Sequence, residues 1–307
     1  MLITDKNELK KYTHEHRIWQ GIPSIEVTKG GRIFSTFYSG GIKEDIDNYV
    51  MLVKSDDGVN FSEPIAVLFK KDYRCYDPCL WIDPLGRLWF TWALMPEHAT
   101  YAVICDNPDA DELVWGEERF IGYDVMMNKP TVLSTGEWLF PIAVWNDGVT
   151  VFLGKENDTK QKEKFSFVYR TTDCGKTFER IGGADVPERS FDEHMILERT
   201  DGVLAMYVRT YYGIGVSYSY DRGVNWTKGV DSKLVGPSSR FVMGRLPSGR
   251  VLFVNNDSKD VIRRDLTAFL SEDDGVTWKY KLLLDEREAS SYAGITKLAE
   301  KYVAVLK

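Results

Sequence analysis

Short stretches in which apolar and polar residues alternate, each closed by glycine, aspartate, asparagine or proline, run the length of the chain. Tyr207-Val208-Arg209-Thr210 and Leu266-Thr267-Ala268-Phe269-Leu270 are examples. A period of two places one set of side chains on each face of a strand, and no stretch holds the 3.6-residue period of a helix. The expected structure is therefore nearly all β. Its punctuation is regular: glycine followed by a short apolar strand recurs at Gly31-Arg32-Ile33-Phe34, Gly86-Arg87-Leu88-Trp89, Gly136-Glu137-Trp138-Leu139, Gly202-Val203-Leu204-Ala205 and Gly249-Arg250-Val251-Leu252. Glu300-Lys301-Tyr302-Val303-Ala304-Val305 stands in the place of a sixth copy. The spacing is about 50 residues, widened to 66 between Gly136 and Gly202. That interval holds a charged run over residues 154–164, expected as an exposed loop.

A second series repeats independently of the first. Ser219-Tyr220-Asp221-Arg222-Gly223-Val224-Asn225-Trp226 and Ser271-Glu272-Asp273-Asp274-Gly275-Val276-Thr277-Trp278 match closely, with weaker copies at Thr171–Phe178 and Lys54–Phe61. All share Asp-x-Gly-x-Thr/Asn-Trp/Phe, the pattern of a hairpin turn: Asp bonds backbone N–H groups, Gly supplies the positive φ, and the aromatic ring packs the turn onto the sheet. Such turns are read as structural before anything else. Repeats of this length, each holding a few short strands, are the mark of a radial array. Six copies imply a six-bladed β-propeller, with residues 1–307 as a single domain and four Asp-containing hairpins.

Composition narrows the partners. A chain with 43% hydrophobic and 13% aromatic residues can fill a core of this kind. Its formal charge of −7 argues against nucleic acid or an anionic membrane, both of which need clustered Lys and Arg; the pair Arg263-Arg264 is too small a patch. No run approaches the roughly 18 apolar residues of a membrane span, and the first eleven residues lack a signal peptide's apolar core. A cytoplasmic location is expected, or an exported one if a leader has been removed. Cys75, Cys79, Cys105 and Cys174 are expected as reduced, mostly packed thiols, and no His/Cys/Asp grouping has ligand spacing, so neither a metal nor a cofactor is expected.

Asp-containing turns repeated through six blades resemble the Asp boxes of the sialidase (neuraminidase) superfamily, and residues between the turns extend the resemblance over essentially the whole chain. Glu193 and Arg209 flank a strand–turn–strand in Phe191–Arg209, as that family's catalytic glutamate and second substrate-binding arginine do. Arg264, before Leu266-Thr267-Ala268-Phe269-Leu270-Ser271, looks like the third arginine, and Ser291-Tyr292-Ala293-Gly294-Ile295 resembles the segment bearing the tyrosine nucleophile. The acidic segment Glu44-Asp45-Ile46-Asp47 lies where the family places its aspartate acid, with Asp45 the best match and Glu44 and Asp47 its rivals. The resemblance implies a hydrolase that removes a terminal, acidic sugar from a glycan.

The chemistry explains why these residue types belong together. A sialic acid carries a carboxylate on its anomeric carbon, so a tyrosine oxygen attacks with less repulsion than a carboxylate. Tyrosine, with an ordinary pKa of about 10, needs a base, the role implied for Glu193. Arg209 and Arg264 are implied to hold the substrate carboxylate by charge-assisted hydrogen bonds. One position departs: the family's Arg-Ile-Pro is Gly21-Ile22-Pro23 here, preceded by Gln20, so one arginine of three is missing. Arg17, Arg74 and Arg240 are candidates to compensate. Polar clusters before apolar strands, Arg74-Cys75-Tyr76-Asp77-Pro78, Met127-Asn128-Lys129-Pro130, Ser238-Ser239-Arg240-Phe241 and Asp285-Glu286-Arg287, are expected to line the funnel; Arg74, Asp77, Arg240, Gln20 and His194 are substrate-binding candidates. His194 is also a candidate for a packed core histidine, and Glu193, Arg209 and Arg264 for an ion-pair network bracing the blades. Two further functions compete: a polysaccharide lyase with His194 or Tyr292 as base, and a non-catalytic propeller that binds glycans.

Overall fold

The structure, a computed structural model, describes residues 1–145 and 163–288, together with the strand backbone of residues 151–152, 155–156, 297–298 and 301–302. Five antiparallel blades follow one another around an axis. Their innermost strands are Trp19–Val27, Arg74–Ile82, Thr131–Val132, Met195–Glu198 and Val242–Arg245, and each blade runs outward from there in chain order. The first blade continues through Ile33–Gly40, Tyr49–Ser55 and Ala66–Leu68, and Leu2–Ile3 adds a fifth strand to its outer edge. A four-residue helix, Lys6–Leu9, and two single 3₁₀ turns link that edge strand to the ring.

The expected count of six blades is corrected to five among the described residues. After Asp285 the hairpin Lys297–Leu298 with Lys301–Tyr302 is described, beside the inner strand of the first blade. The N-terminal segment does not complete a sixth blade either, because Leu2–Ile3 pairs with Val67 and Leu68 at the rim of the first.

Both repeated signatures are accounted for by local geometry. Gly31, Gly86, Gly136, Gly202 and Gly249 each close the turn between the first and second strands of a blade, with φ of 93°, 83°, 100°, 82° and 84°. A Cβ at any of them meets nothing within 4 Å, so the positive φ, not crowding, selects glycine. The Asp turns all join third strands to fourth. In each, the carboxylate of Asp57, Asp173, Asp221 or Asp273 accepts the backbone N–H three or four residues on, at 2.7–2.9 Å, while the preceding Ser or Thr hydroxyl accepts the glycine N–H. Those bonds favour the ionised form and hold all four carboxyls below their usual range, Asp273 at about 2. Solvent reaches them, and their part is to shape the hairpin.

The strands' period of two shows in the packing, because adjacent residues enter different inter-blade cores. Leu80 and Phe90 face the first blade, whereas Trp81 and Trp89 face the third. Phe140 packs back on the second blade while Leu139 packs forward on the fourth, and Val208 and Tyr207 divide likewise between the third and fifth. The blade 2–3 core also grips the Asp turn of the third blade: Arg87 Nη2 and Arg119 Nη1 donate to the carbonyls of Cys174 and Gly175 at 2.7 and 2.8 Å. Gly175, at φ 80°, lies flat on Trp89, whose ring is 2.3 Å from where a Cβ would stand. Gly175→Ala is expected to cost about 2–4 kcal/mol from backbone strain plus overpacking, read as a lowered urea midpoint. An unchanged midpoint contradicts this packing.

Candidate active site

The inner strands begin at the same end of the ring, so residues in their first halves or just before their starts converge there. These are Gly21-Ile22-Pro23, Asp77-Pro78, Asn128-Lys129-Pro130, Asp192-Glu193-His194 and Ser239-Arg240. The pairing register slips between Gly21 and Ser24 and again between Tyr76 and Cys79, placing Ile22 and Asp77 in equivalent bulges, both at φ 45°. A bulge re-aims the side chain it carries. Asp192 and Glu193 are also left-handed, each at φ 41°. Non-glycine residues held this way cost about 1–3 kcal/mol each and persist only where surrounding contacts impose them. Here Arg209 N donates to Asp192 O at 2.9 Å, and Asn128 Nδ2 donates to Glu193 O at 2.6 Å.

Glu193 and Arg209 are brought together. Arg209 Nη1 lies 2.9 Å from Glu193 Oε2, with the two side chains 5% and 1% exposed, and the guanidinium stacks over Phe191 at 5.1 Å. Arg209 Nε also donates to Ser238 Oγ at 3.1 Å. The carbonyl of the same Ser238 accepts from Arg263 Nη2 at 3.0 Å, so two guanidinium groups meet at one serine of the inter-blade link. Arg264 goes elsewhere. It ion-pairs with Asp260 at 2.7 Å and with Asp265 and Glu288 at 3.7 Å, on a half-exposed loop. Arg263, not Arg264, is the one that shares Ser238 with Arg209. Sequence carried only the adjacency of the two arginines, which does not say which reaches Ser238.

A second cluster joins the first two blades. Arg74 Nη2 pairs with Glu44 Oε2 at 2.8 Å and donates to Tyr38 Oη at 3.1 Å, and the Tyr38 hydroxyl donates to Glu44 Oε1. Glu44 is thus the carboxylate of its loop that reaches Arg74 and Tyr38. Asp45 accepts from Ile46 N at 2.8 Å and is partly exposed, and Asp47 accepts from Asp72 N at 2.7 Å. Asp77 is buried at the axis. Burial pushes its carboxyl up to about 7; Arg74 opposes this, Glu44 and Glu193 reinforce it, and Arg240 opposes it. A carboxyl near that value is partly protonated around neutrality.

The remaining candidates are dispersed. Gln20 is exposed on the inner strand of the first blade. At Gly21 the place of a side chain is taken by Trp19, whose indole carbons lie 2.9 Å from a Cβ position, and which meets Tyr38 edge-on at 5.2 Å. Arg17 turns toward Tyr12 O and Phe37. His194 is buried, its Nε2 bonded to Phe167 O at 2.8 Å, and burial, with Arg189 adding to it, lowers its pKa to about 4. It is a neutral, hydrogen-bonded core histidine facing the third blade, and that nitrogen is not available as a base. Arg240 crosses the axis: Nε donates to Asn128 Oδ1 at 3.1 Å, Nη1 to Pro23 O at 3.4 Å, and Nη2 to Met127 O. Tyr292 lies outside the described residues.

Solved proteins share this architecture. The Hadza microbial sialidase Hz136 superposes with a TM-score of 0.72 at 19% identity, over 93% of this chain and 62% of its own. For the leech intramolecular trans-sialidase the values are 0.69 and 13%, over 91% and 63%. A protein of unknown function from Dyadobacter fermentans gives 0.65 and 17%, over 91% and 87%. This chain therefore spans less than two thirds of the sialidase and the trans-sialidase, and identities this low show a common fold. None of the curated proteins matches it. Residues 31–305, nearly the whole chain, match the family described as BNR repeat-like domain, and the chain belongs to that family.

Proposed function

We propose that this propeller is a sialidase-like glycoside hydrolase that removes a terminal acidic sugar from a glycan. The observation that carries the reading is the buried Glu193–Arg209 pair, with Arg263 set on the same Ser238 at the end of the ring where inner strands begin. Two guanidinium groups bonded to one serine suit a carboxylate, which accepts several charge-assisted hydrogen bonds at once. In this reading Arg209 and Arg263 hold the sugar carboxylate, Glu193 takes the proton from Tyr292 as the tyrosine oxygen attacks the anomeric carbon, and a carboxyl of the loop that carries Glu44, Asp45 and Asp47 protonates the leaving oxygen. Asp77, partly protonated near neutrality, donates to a sugar hydroxyl, and the Arg74–Glu44–Tyr38 cluster walls that side. The fold shared with a sialidase and a trans-sialidase supports the reading at the level of architecture.

The two adjacent arginines give the test. Removing one charge-assisted bond to a carboxylate costs about 1.5–3 kcal/mol, so Arg263→Ala is expected to raise KM for an anionic glycoside about 10–100-fold. Arg264→Ala is expected to leave KM within about threefold, since exposed ion pairs contribute little. Steady-state kinetics on both variants decide, and the reverse pattern returns the role to Arg264. A non-catalytic, glycan-binding propeller draws its support from Gly21, where Trp19 fills the place of the missing Arg-Ile-Pro arginine. Tight glycan binding with no product after long incubation decides for that alternative.

A further inference from the structure

Glu193 is held from a distance. Its backbone is left-handed, at φ 41°, as is that of Asp192, and no glycine relieves either position. Asn128, at the entry to the third blade's inner strand, is buried at 3% exposure and bridges two groups of opposite character. Its Nδ2 donates to Glu193 O at 2.6 Å and to His194 O at 3.3 Å, while its Oδ1 accepts from Arg240 Nε at 3.1 Å. The polarity of the amide is fixed by its neighbours, because a guanidinium only donates and a carbonyl only accepts. Arg240 is anchored in turn on Pro23 O in the first blade and on Met127 O before the third. The result is one chain of contacts from the first blade through the fifth and third to the fourth, ending at Glu193 and Arg209.

We propose that Asn128 and Arg240 are positioning residues: Arg240 orients the Asn128 amide, and that amide holds the strained Asp192–Glu193 backbone so that the Glu193 carboxylate stays in place against Arg209. The catalytic consequence rests on the reading of Glu193 as proton acceptor; the structural one does not. Energetically the device is reasonable. A left-handed non-glycine residue relaxes unless its surroundings over-determine it, and a buried bond to its carbonyl is such a determinant. Functionally, a displacement of about 1 Å at a reacting group costs about 10²-fold in rate. Asparagine is suited to the bridge because it presents an acceptor to Arg240 and a donor to Glu193 O at the same length. Aspartate keeps the first contact and forfeits the second.

The test follows from that asymmetry. In Asn128→Asp the carboxylate still accepts from Arg240, and the donation to Glu193 O is lost. Hydrogen exchange of the full-length chain, read at the Ser190 and Arg209 amides that bond across this segment, is expected to rise about tenfold or more. On a cleavable acidic glycoside kcat is expected to fall about 10–100-fold with KM within about threefold, because the arginines that grip the carboxylate are held separately at Ser238. Arg240→Lys, which keeps the charge but cannot reach Asn128, Pro23 and Met127 together, is expected to move both readouts in the same direction and serves if the aspartate variant does not fold. Unchanged exchange overturns the proposal. Faster exchange with kcat untouched, or a change confined to KM, overturns its catalytic part. A wild-type chain that turns over no glycoside removes the role of Glu193 instead, and the exchange result then stands alone for or against the bridge.

Discussion

Glu193→Gln is expected to lower kcat on an acidic glycoside by about 10²–10⁴-fold, the usual contribution of a positioned proton acceptor, with a smaller effect on KM. Glutamine is isosteric and keeps an oxygen for Arg209 Nη1, now at 2.9 Å from the carboxylate, but its amide cannot accept a proton at neutral pH. The substitution also removes one of two charges from a buried pair, which alone can cost about 3–5 kcal/mol, so the melting temperature must be followed beside the rate. Arg209 retains Ser238 Oγ and the face of Phe191, which limits that cost. A rate within about threefold of wild type, with the fold intact, removes Glu193 from the mechanism.

Trp89→Ala is expected to be the most destabilising single change in the scaffold, at about 3–5 kcal/mol. Its side chain is fully buried where the second and third blades meet, with ring centroids 5.8 Å from Trp81 and Phe140, 6.2 Å from Trp138 and 6.3 Å from Phe178. Its indole N–H donates to Asp83 Oδ2 at 2.8 Å, and its face is the floor on which Gly175 turns. Truncation opens a cavity, takes a partner from a buried carboxylate and frees the Asp turn of the third blade together. The melting temperature is expected to fall by about 5–10 °C, with activity at low temperature retained, since the site lies nearer the axis. A fall of less than about 2 °C means that the aromatic cluster does not hold these blades.

Most of the scaffold was legible in the sequence because the signals that encode it are local. A glycine with a positive φ closes every inner hairpin, so Gly31, Gly86, Gly136, Gly202 and Gly249 mark five blades in advance. The Asp turns were equally legible, since their bonds span only three or four residues. The blade count was not: Glu300–Val305 matches the apolar strand of the repeat without its glycine, and five blades stand among the described residues. Side-chain direction was harder still. Arg263 and Arg264, or Glu44 and Asp45, are neighbours whose types are interchangeable in sequence, yet Arg263 reaches Ser238 and Glu44 reaches Arg74 while their neighbours face loop carboxylates or their own backbone. His194 beside Glu193 is in sequence a candidate both for a packed core histidine and for a site residue. Left-handed backbone at Asp192 and Glu193, invisible from sequence, sends that imidazole to Phe167 O. Arg240, expected from sequence to line the funnel, makes its contacts with backbone carbonyls and Asn128.

The central claim is that the paired arginines and Glu193 at the end of this propeller act on a terminal acidic sugar. The measurement that tests it most directly is release of free sugar from a panel of glycosides and natural glycans bearing sialic acids, uronic acids or neutral sugars, with wild-type protein and Glu193→Gln side by side. The account predicts release of an acidic sugar by the wild type, reduced by about 10²-fold or more in the variant, with neutral glycosides untouched. Release of neutral sugars alone, equal release by the two proteins, or an unsaturated product absorbing in the ultraviolet contradicts it.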